Sequence, residues 1–247
     1  TTIVQYEVLD AQSPFTLKLK PFIAGRDYHW LNKANSDISY AYNFENGCLK
    51  LNPYPNLPDI YIKVPQSEFH YSPDWYFNFN YKIEQDRGQD FKEDLFTYGE
   101  FTIKLKKGDV VEIVISTDKP KVDTPPLYLA QETERKKALL SQSELEDTFL
   151  NTLLLAADQF IVKRGTNLNT IIAGYHWFAD WGRDTMISLP GLCLETRRYD
   201  DAKKIIQAFG NVIDIGMIPN RFPDVGEKPE YNNADGTLWY FVAIYQY

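Results

Sequence analysis

The stretch STDKPKVDTPP, residues 116–126, marks the place where the periodicity of the sequence changes. Its prolines and charged residues cannot continue the interior of a β-sheet. Before this stretch, apolar and polar residues alternate as in strands with one buried face. After it, apolar residues recur every three to four positions, as in amphipathic helices. We therefore predict a β domain over 1–117, a linker or connecting helix over 118–140, and a helical domain over 141–247.

The N-terminal part contains many short alternating segments separated by Pro, Asn and Gly. In FTIKLKKGDVVEIVIS, residues 101–116, we predict a β-hairpin with a turn at 107–109. Such a series of strands is typical of an antiparallel β-sandwich. The acidic and aromatic stretch over 74–96 is interpreted as an exposed strand pair with its turn, the alternative being a loop that covers a ligand site.

Helical spacing dominates the C-terminal part. In SELEDTFLNTLLLAADQFIVKR, residues 143–164, two adjacent apolar stripes predict a helix that reaches Ile161 and is buried on more than one side. Ser141 or Ser143 is the predicted cap of this helix. We predict two more helices over 184–198 and 199–216, and the start of a fourth at residue 235.

Two long loops, 165–183 and 217–235, separate these helices. Loops of this length are usually functional or disordered, and their Trp, Tyr and Phe residues favour order. In GYHWFADWGRDT, residues 174–185, indole rings stand beside carboxylates and one guanidinium. A ring can cover the apolar face of a sugar, while guanidinium and carboxylate hydrogen-bond to its hydroxyls. The two loops together favour a carbohydrate site.

A structural alternative exists for each of these loops. Gly-Arg-Asp-Thr marks the first turn of a helix, where a carboxylate is stabilised by the helix dipole. Asp184 could therefore cap that helix while Arg183 makes an ion pair. In the second loop, Asp235 could cap the helix that follows it.

Charge and composition exclude several classes of function. The net charge is −8 and no basic stripe is present, so neither nucleic acid nor an anionic membrane is expected as a partner. No apolar run reaches the roughly 20 residues of a membrane span. Cys48 and Cys193 lack metal-ligand spacing and fit a reduced compartment, and His29, His70 and His176 also lack such spacing. We expect no metal and no cofactor.

Four stretches carry a resemblance to a known family. The stretches 75–96, 158–164, 173–192 and 218–239 resemble the glycogen debranching enzymes of bacteria and archaea, the amylo-α-1,6-glucosidase type related to glucoamylase-like hydrolases. The resemblance implies a multidomain protein in which an antiparallel β-sandwich is followed by an (α/α)6 barrel, as in six-hairpin glycosidases. This chain would contain the later strands of the sandwich and the first helices of the barrel.

The resemblance also assigns roles to particular residues. One group would hold the terminal glucose, a second would form an aromatic wall, and a third would be the second segment that lines the pocket. These groups are, respectively, Arg183 and Asp184; Trp177 and Trp181; and Tyr231, Asn232, Asp235 and Trp239. The general acid lies in a Trp-Met-Asp segment, and neither it nor the base has a match up to Tyr247. We therefore expect no catalytic residue within this chain, and the chain alone to be inactive.

The expected activity is removal of glucose from α-1,6 branch stubs of glycogen-like glucans by inverting hydrolysis. In that mechanism an acid and a base stand roughly 6.5–9.5 Å apart. The expected partners are glycogen or branched α-glucan oligosaccharides and the remainder of the polypeptide, in the cytoplasm. The alternatives are a trehalase-like or other exo-α-glucosidase, and a non-catalytic glucan-binding protein.

Overall fold

A computed structural model describes residues 1–121, 124–143, 147–175, 178–221 and 228–247. The chain divides into two compact units, Thr1–Ala130 and Gln131–Tyr247. We call them the β unit and the helical unit. Within the described part, no helix combines the length and apolarity that crossing a membrane requires.

The β unit contains two antiparallel sheets. In the described part its strands are β1 (Thr2–Glu7), β2 (Phe15–Leu19), β3 (Tyr42–Glu45), β4 (Cys48–Leu51), β5 (Ile60–Lys63), β6 (Glu68–Asn80), β7 (Lys92–Leu105) and β8 (Val110–Ser116). One sheet has the order β1-β8-β5-β4-β3 and the other the order β2-β7-β6. A short helix, α1 (Lys82–Asp86), connects β6 with β7.

Side chains from both sheets share one hydrophobic core. Leu49, Ile62 and Val111 contribute from the five-stranded sheet, and Phe96 and Phe101 from the three-stranded sheet, all of them buried. The alternation seen in the sequence therefore places one face of each strand in a common interior. This arrangement is compatible with the predicted antiparallel β-sandwich.

The predicted hairpin over 101–116 is wrong. β7 pairs with β2 and β6, whereas β8 pairs with β1 and β5, so the turn between them connects the two sheets. Apolar residues of both strands, such as Ile103 and Ile113, are buried in the shared core. Alternation shows which face of a strand is buried, but it does not show which strand is the neighbour. The same pattern therefore fits a hairpin and a connection between sheets.

The acidic stretch over 74–96 forms a strand pair, as predicted, because β6 and β7 are antiparallel neighbours. Two of its carboxylates, however, are buried. Glu93 is 0% exposed and Asp94 is 7% exposed. Arg26 donates to both oxygens of Glu93, from Nε at 2.6 Å and from Nη2 at 2.9 Å. The interpretation of this stretch as exposed therefore fails at Glu93 and Asp94.

The remaining elements are mainly helical. They are α2 (Thr124–Ser143), α3 (Thr148–Asp158), β9 (Ile161–Arg164), β10 (Leu168–Ile171), α4 (Gly182–Leu189), a π-helical segment (Pro190–Leu194), α5 (Tyr199–Gly210) and α6 (Ala234–Gln246). The boundary between the two units falls within α2. The three predicted helices that begin near residues 184, 199 and 235 are present as α4, α5 and α6. The predicted ends at 198 and 216 are wrong, because α4 with the π-helical segment ends at Leu194 and α5 ends at Gly210.

The first predicted helix needs three corrections. Asp147 caps α3 by accepting from the Leu150 amide at 2.9 Å, while Ser141 and Ser143 end the preceding helix. The helix stops at Asp158, since the next segment is β-branched and pairs as β9 with β10 around a turn. Ile161 therefore belongs to a strand. The predicted wide buried face is also wrong, because Leu154 is the one buried apolar residue of α3 whereas Phe149 is 68% exposed.

The core of the helical unit is formed where α4, α5, α6 and β10 pack together. Leu189, Ile205, Phe209 and Ala243 are each 0% exposed. In α5, Ile205 and Phe209 lie four residues apart, which is the three-to-four-residue periodicity visible in the sequence. This packing fixes the N-terminal ends of α4 and α6, which carry most of the predicted site residues.

Candidate functional site

The N-terminal turn of α4 contains the Gly-Arg-Asp-Thr motif, as predicted. Trp181 is the N-cap residue, and Arg183 and Asp184 lie in the first turn with exposed side chains. Among the described residues no side chain caps this helix, so the alternative is wrong in making Asp184 its cap, whereas the ion pair that it assigns to Arg183 is present. The Asp184 carboxylate is thus presented to solvent at the positive end of the helix dipole.

Asp180, four residues earlier, has a different environment. It is 3% exposed, and its Oδ2 accepts from Arg164 Nη1 at 2.5 Å and from Thr170 Oγ1 at 2.9 Å. Burial raises the pKa of this carboxyl, an effect that the charge of Arg164 opposes. Because α4 begins after it, Asp180 does not share a helical face with Asp184. Its contacts connect β9 and β10 to the segment that leads into α4.

The two long loops meet at Gly182. Its amide donates to the Asn220 carbonyl at 2.8 Å, and Trp181 forms an isolated β-bridge with Arg221. A Cβ at position 182 would lie 2.2 Å from the Pro219 carbonyl oxygen. Only glycine permits this approach of the two backbones. The structure therefore brings the two loops together, although their role in binding stays a prediction.

Asparagine side chains stabilise the second loop. Asn220 accepts from Asn233 Nδ2 at 2.9 Å and donates to Asn232 Oδ1 at 3.2 Å. Asn233 Oδ1 also accepts from the Gly236 amide at 3.0 Å and so caps α6. The alternative in which Asp235 caps this helix is therefore wrong. Sequence reasoning missed Asn233 as the N-cap residue of α6, although Asn is a preferred N-cap residue and its side chain commonly accepts from the amide three residues later.

With Asn233 as the cap, the Asp235 side chain is available to Arg183. Arg183 Nε lies 2.9 Å from Asp235 Oδ2, and Arg183 Nη2 lies 2.9 Å from Asp235 Oδ1. The guanidinium thus binds both carboxylate oxygens in a fork. Both side chains are about half exposed, at 50% and 48%. The pair joins the first turns of α4 and α6, and the exposed Asp184 follows Arg183 in the same turn of α4.

The aromatic residues assigned to the site differ in their environments. Trp181 contacts Phe178 edge to face, with ring centroids 6.3 Å apart. Trp239 is 39% exposed and lies one helical turn after Asp235. Trp177 lies outside the described residues. Tyr231 donates its hydroxyl to the Val212 carbonyl at 2.7 Å, so its polar end is directed at the backbone and not at the Arg183–Asp235 surface.

A second cluster of charges lies in an open cleft of about 990 Å³ in the same unit. At its base, Asp158 is 8% exposed and accepts from Arg198 Nη1 at 2.7 Å and from Arg135 Nη1 at 2.9 Å. Arg198 Nε also donates to Asp201 at 2.7 Å. Of the predicted sugar-binding residues that the structure describes, none lines this cleft. In the described part, no group of His, Cys, Asp and Glu side chains could hold a metal ion.

Two families match the chain. The family described as "Amylo-alpha-1,6-glucosidase" matches residues 155–247, and the family described as "Glycogen debranching enzyme N terminal" matches residues 1–112. The first match contains the Arg183–Asp235 surface. The second corresponds to most of the β unit.

One curated relative is the "Glycogen debranching enzyme" of Saccharomyces cerevisiae. It is 39% identical over 88 residues, which is 34% of this chain and 6% of the yeast protein. The similarity thus covers a small part of the relative's length. No solved structure is significantly similar to the chain.

Proposed function

Because the chain belongs to the glycogen debranching enzyme family, we propose that it is part of an amylo-α-1,6-glucosidase that releases glucose from α-1,6 branch stubs of glycogen-like glucans. The helical unit would supply the first helices of an (α/α)6 barrel. Its ligand would be the terminal glucose of a branched α-glucan. The family assignment of both parts of the chain supports the substrate class.

The observation that carries this proposal is the position of the Arg183–Asp235 pair. Two loops and two helix N-termini converge there, and Gly182 permits their close contact. A guanidinium fork, the exposed carboxylate of Asp184 and the rings of Trp181 and Trp239 are groups of the kind that hold a pyranose. The carboxylates would accept from sugar hydroxyls, the guanidinium would donate to them, and an indole would cover the C–H face.

The proposed role of this chain is binding and orientation of the glucose. Asp235 is held in place by the fork of the Arg183 guanidinium, an arrangement that suits a residue that orients a ligand. In inverting hydrolysis, one carboxylic acid protonates the glycosidic oxygen and a carboxylate activates water on the opposite face of the sugar. We propose that both of these groups come from polypeptide outside residues 1–247. Arg183 and Asp184 would fix the glucose ring between them.

Calorimetric titration with isomaltose tests the proposed binding role. Asp184→Asn should weaken isomaltose binding about tenfold, since one charge-assisted hydrogen bond to a hydroxyl is lost. Asp200→Asn is the matched control, because Asp200 is also an exposed carboxylate in the first turn of a helix, α5. Equal binding by both variants and the unmodified chain would rule out Asp184 as a sugar-binding residue. Titration with trehalose distinguishes a trehalase-like specificity.

A further inference from the structure

Three tyrosines form a surface cluster on the β unit, remote in sequence from the two loops. Tyr42 begins β3 and Tyr71 lies in β6, and each of these strands is at the edge of its sheet. The two rings are stacked, with centroids 4.3 Å apart and planes 13° apart. Tyr40 lies two residues before Tyr42. We call Tyr40, Tyr42 and Tyr71 the tyrosine platform.

Contacts with the core hold the platform in place. The Tyr71 hydroxyl donates to the Tyr40 carbonyl at 3.0 Å, and the Tyr40 ring packs edge to face on the fully buried Phe96, at 5.2 Å. Tyr42 also contacts Phe69, with centroids 5.8 Å apart. Exposed aromatic side chains normally lose rotamer freedom when they bind a ligand. Here their orientations are already restricted, so that cost is reduced.

The outer surface of the platform remains open. Tyr40 is 50% exposed and Tyr42 is 43% exposed, while one face of the Tyr42 ring is covered by Tyr71. In the part of the chain that the structure describes, neither the Tyr40 nor the Tyr42 hydroxyl makes a hydrogen bond to another protein group. Each ring therefore offers apolar surface next to a hydroxyl that can donate and accept.

We propose that the tyrosine platform binds glucose units of an α-glucan strand, as a second contact that is independent of the Arg183–Asp235 surface. This inference rests on the proposed function for its ligand class. A pyranose has an apolar C–H face and a rim of hydroxyls, which matches a ring bordered by phenolic hydroxyls. A second copy of the chain is a poorer occupant, because two molecules of net charge −8 repel each other.

A second contact strengthens binding to a polymeric substrate. Glycogen presents many equivalent glucose units, so a chain with two linked contacts dissociates more slowly than one with a single contact. The platform should therefore matter for long glucans and have no effect on a disaccharide. This difference separates the platform from the site in the helical unit.

Electrophoresis of the full chain through gels that contain increasing amounts of glycogen tests the proposal. Tyr40→Ala combined with Tyr42→Ala should weaken retention by glycogen at least about fivefold, because the avidity gain is lost. Phe77→Ala is the matched control: Phe77 is 63% exposed on the same unit and makes no ring contact among the described residues. Tyr42→Phe, which keeps the ring, should retain most of the binding even if the double variant folds poorly.

Isomaltose titration of the same proteins separates failure of this inference from failure of the proposed function. The double tyrosine variant should bind isomaltose like the unmodified chain, whereas Asp184→Asn should not. Loss of glycogen retention in the tyrosine variant alone supports the platform, even if Asp184→Asn has no effect. Unchanged retention in a folded double variant overturns it. The proposal is also overturned if the only change in the double variant is a loss of self-association, measured by sedimentation velocity.

Discussion

The guanidinium of Arg183 binds both carboxylate oxygens of Asp235, and this pair joins the first turn of α4 to the first turn of α6. The two residues are 52 positions apart in the sequence. They meet because Gly182 lets one loop approach the Pro219 carbonyl of the other, and because Asn233, not Asp235, caps α6. The proposed glucose-binding surface thus depends on a glycine and an asparagine that need not contact the sugar.

Asp235→Asn should weaken isomaltose binding about tenfold, since the forked ion pair that orients Arg183 is lost. The free energy of unfolding should change by less than about 1 kcal/mol, because the two side chains are half exposed and solvent screens them. Titration calorimetry and urea unfolding measure the two quantities. Glu230→Gln is the control, as Glu230 forms an exposed pair with Arg221 in the same loop. A large loss of stability in Asp235→Asn would show that the pair is structural.

Gly182→Ala should destabilise the helical unit by about 1–3 kcal/mol and also weaken isomaltose binding, because the added Cβ forces the two loops apart. Gly191→Ala is the matched control, since a Cβ there meets no atom within 4 Å. Urea unfolding followed by far-UV circular dichroism reports the stability. If both variants unfold at the same urea concentration as the unmodified chain, the close approach at Gly182 has no energetic consequence.

The fold was predictable where the pattern has a single interpretation. The change of period around 116–126 identified the β and helical parts, and the helical spacing identified α4, α5 and α6. The pairing of β7 and β8 was not predictable, because alternation is the same for a hairpin and for a connection between two sheets. The end of α3 was missed for a similar reason: Ile161 continues an apolar stripe but pairs as a strand.

Residue type predicted that the two loops lie together, but it did not predict the arrangement of their side chains; their role in binding stays a prediction. Ring, carboxylate and guanidinium residues identified both loops. The sequence does not distinguish the buried Asp180 from the exposed Asp184, since this depends on where α4 begins and on Arg164 and Thr170. The orientation of Tyr231 also depends on the fold, because its hydroxyl donates to the backbone carbonyl of Val212.

Glu93→Gln should destabilise the β unit by about 3–5 kcal/mol at pH 7, because it leaves Arg26 without its buried partner. Burial acts to raise the pKa of Glu93, but hydrogen bonds from Arg26, Tyr81 and the Asn32 amide lower it overall. A lowered pKa means that this stabilisation is present above the unfolded-state pKa near 4.5 and is lost as the pH falls through the folded-state pKa. Urea unfolding from pH 3 to 7 should therefore show a weaker pH dependence in the variant.

A matched substitution checks whether this effect belongs to Glu93. Glu100 lies on the same strand and pairs with Lys18 at the surface. Glu100→Gln should therefore lower the free energy of unfolding much less than Glu93→Gln does. Equal losses of unfolding free energy in the two variants would mean that the buried Glu93–Arg26 pair stabilises the β unit no more than the Glu100–Lys18 pair does.

Asp180→Asn should also reduce a pH dependence of stability, here that of the helical unit. The sign of this dependence is opposite to that at Glu93. Burial raises the pKa of Asp180, so its contribution favours the folded state below the unfolded-state pKa near 3.8 and is lost as the pH rises through the higher folded-state pKa. Asparagine has no such titration and can still accept from Thr170. Amide hydrogen exchange in β10 and α4, measured from pH 4 to 7, should therefore show a smaller decline of protection in the variant than in the unmodified chain, after correction for intrinsic exchange rates. The same decline in both proteins would mean that the charge of Arg164 fully offsets the burial of Asp180.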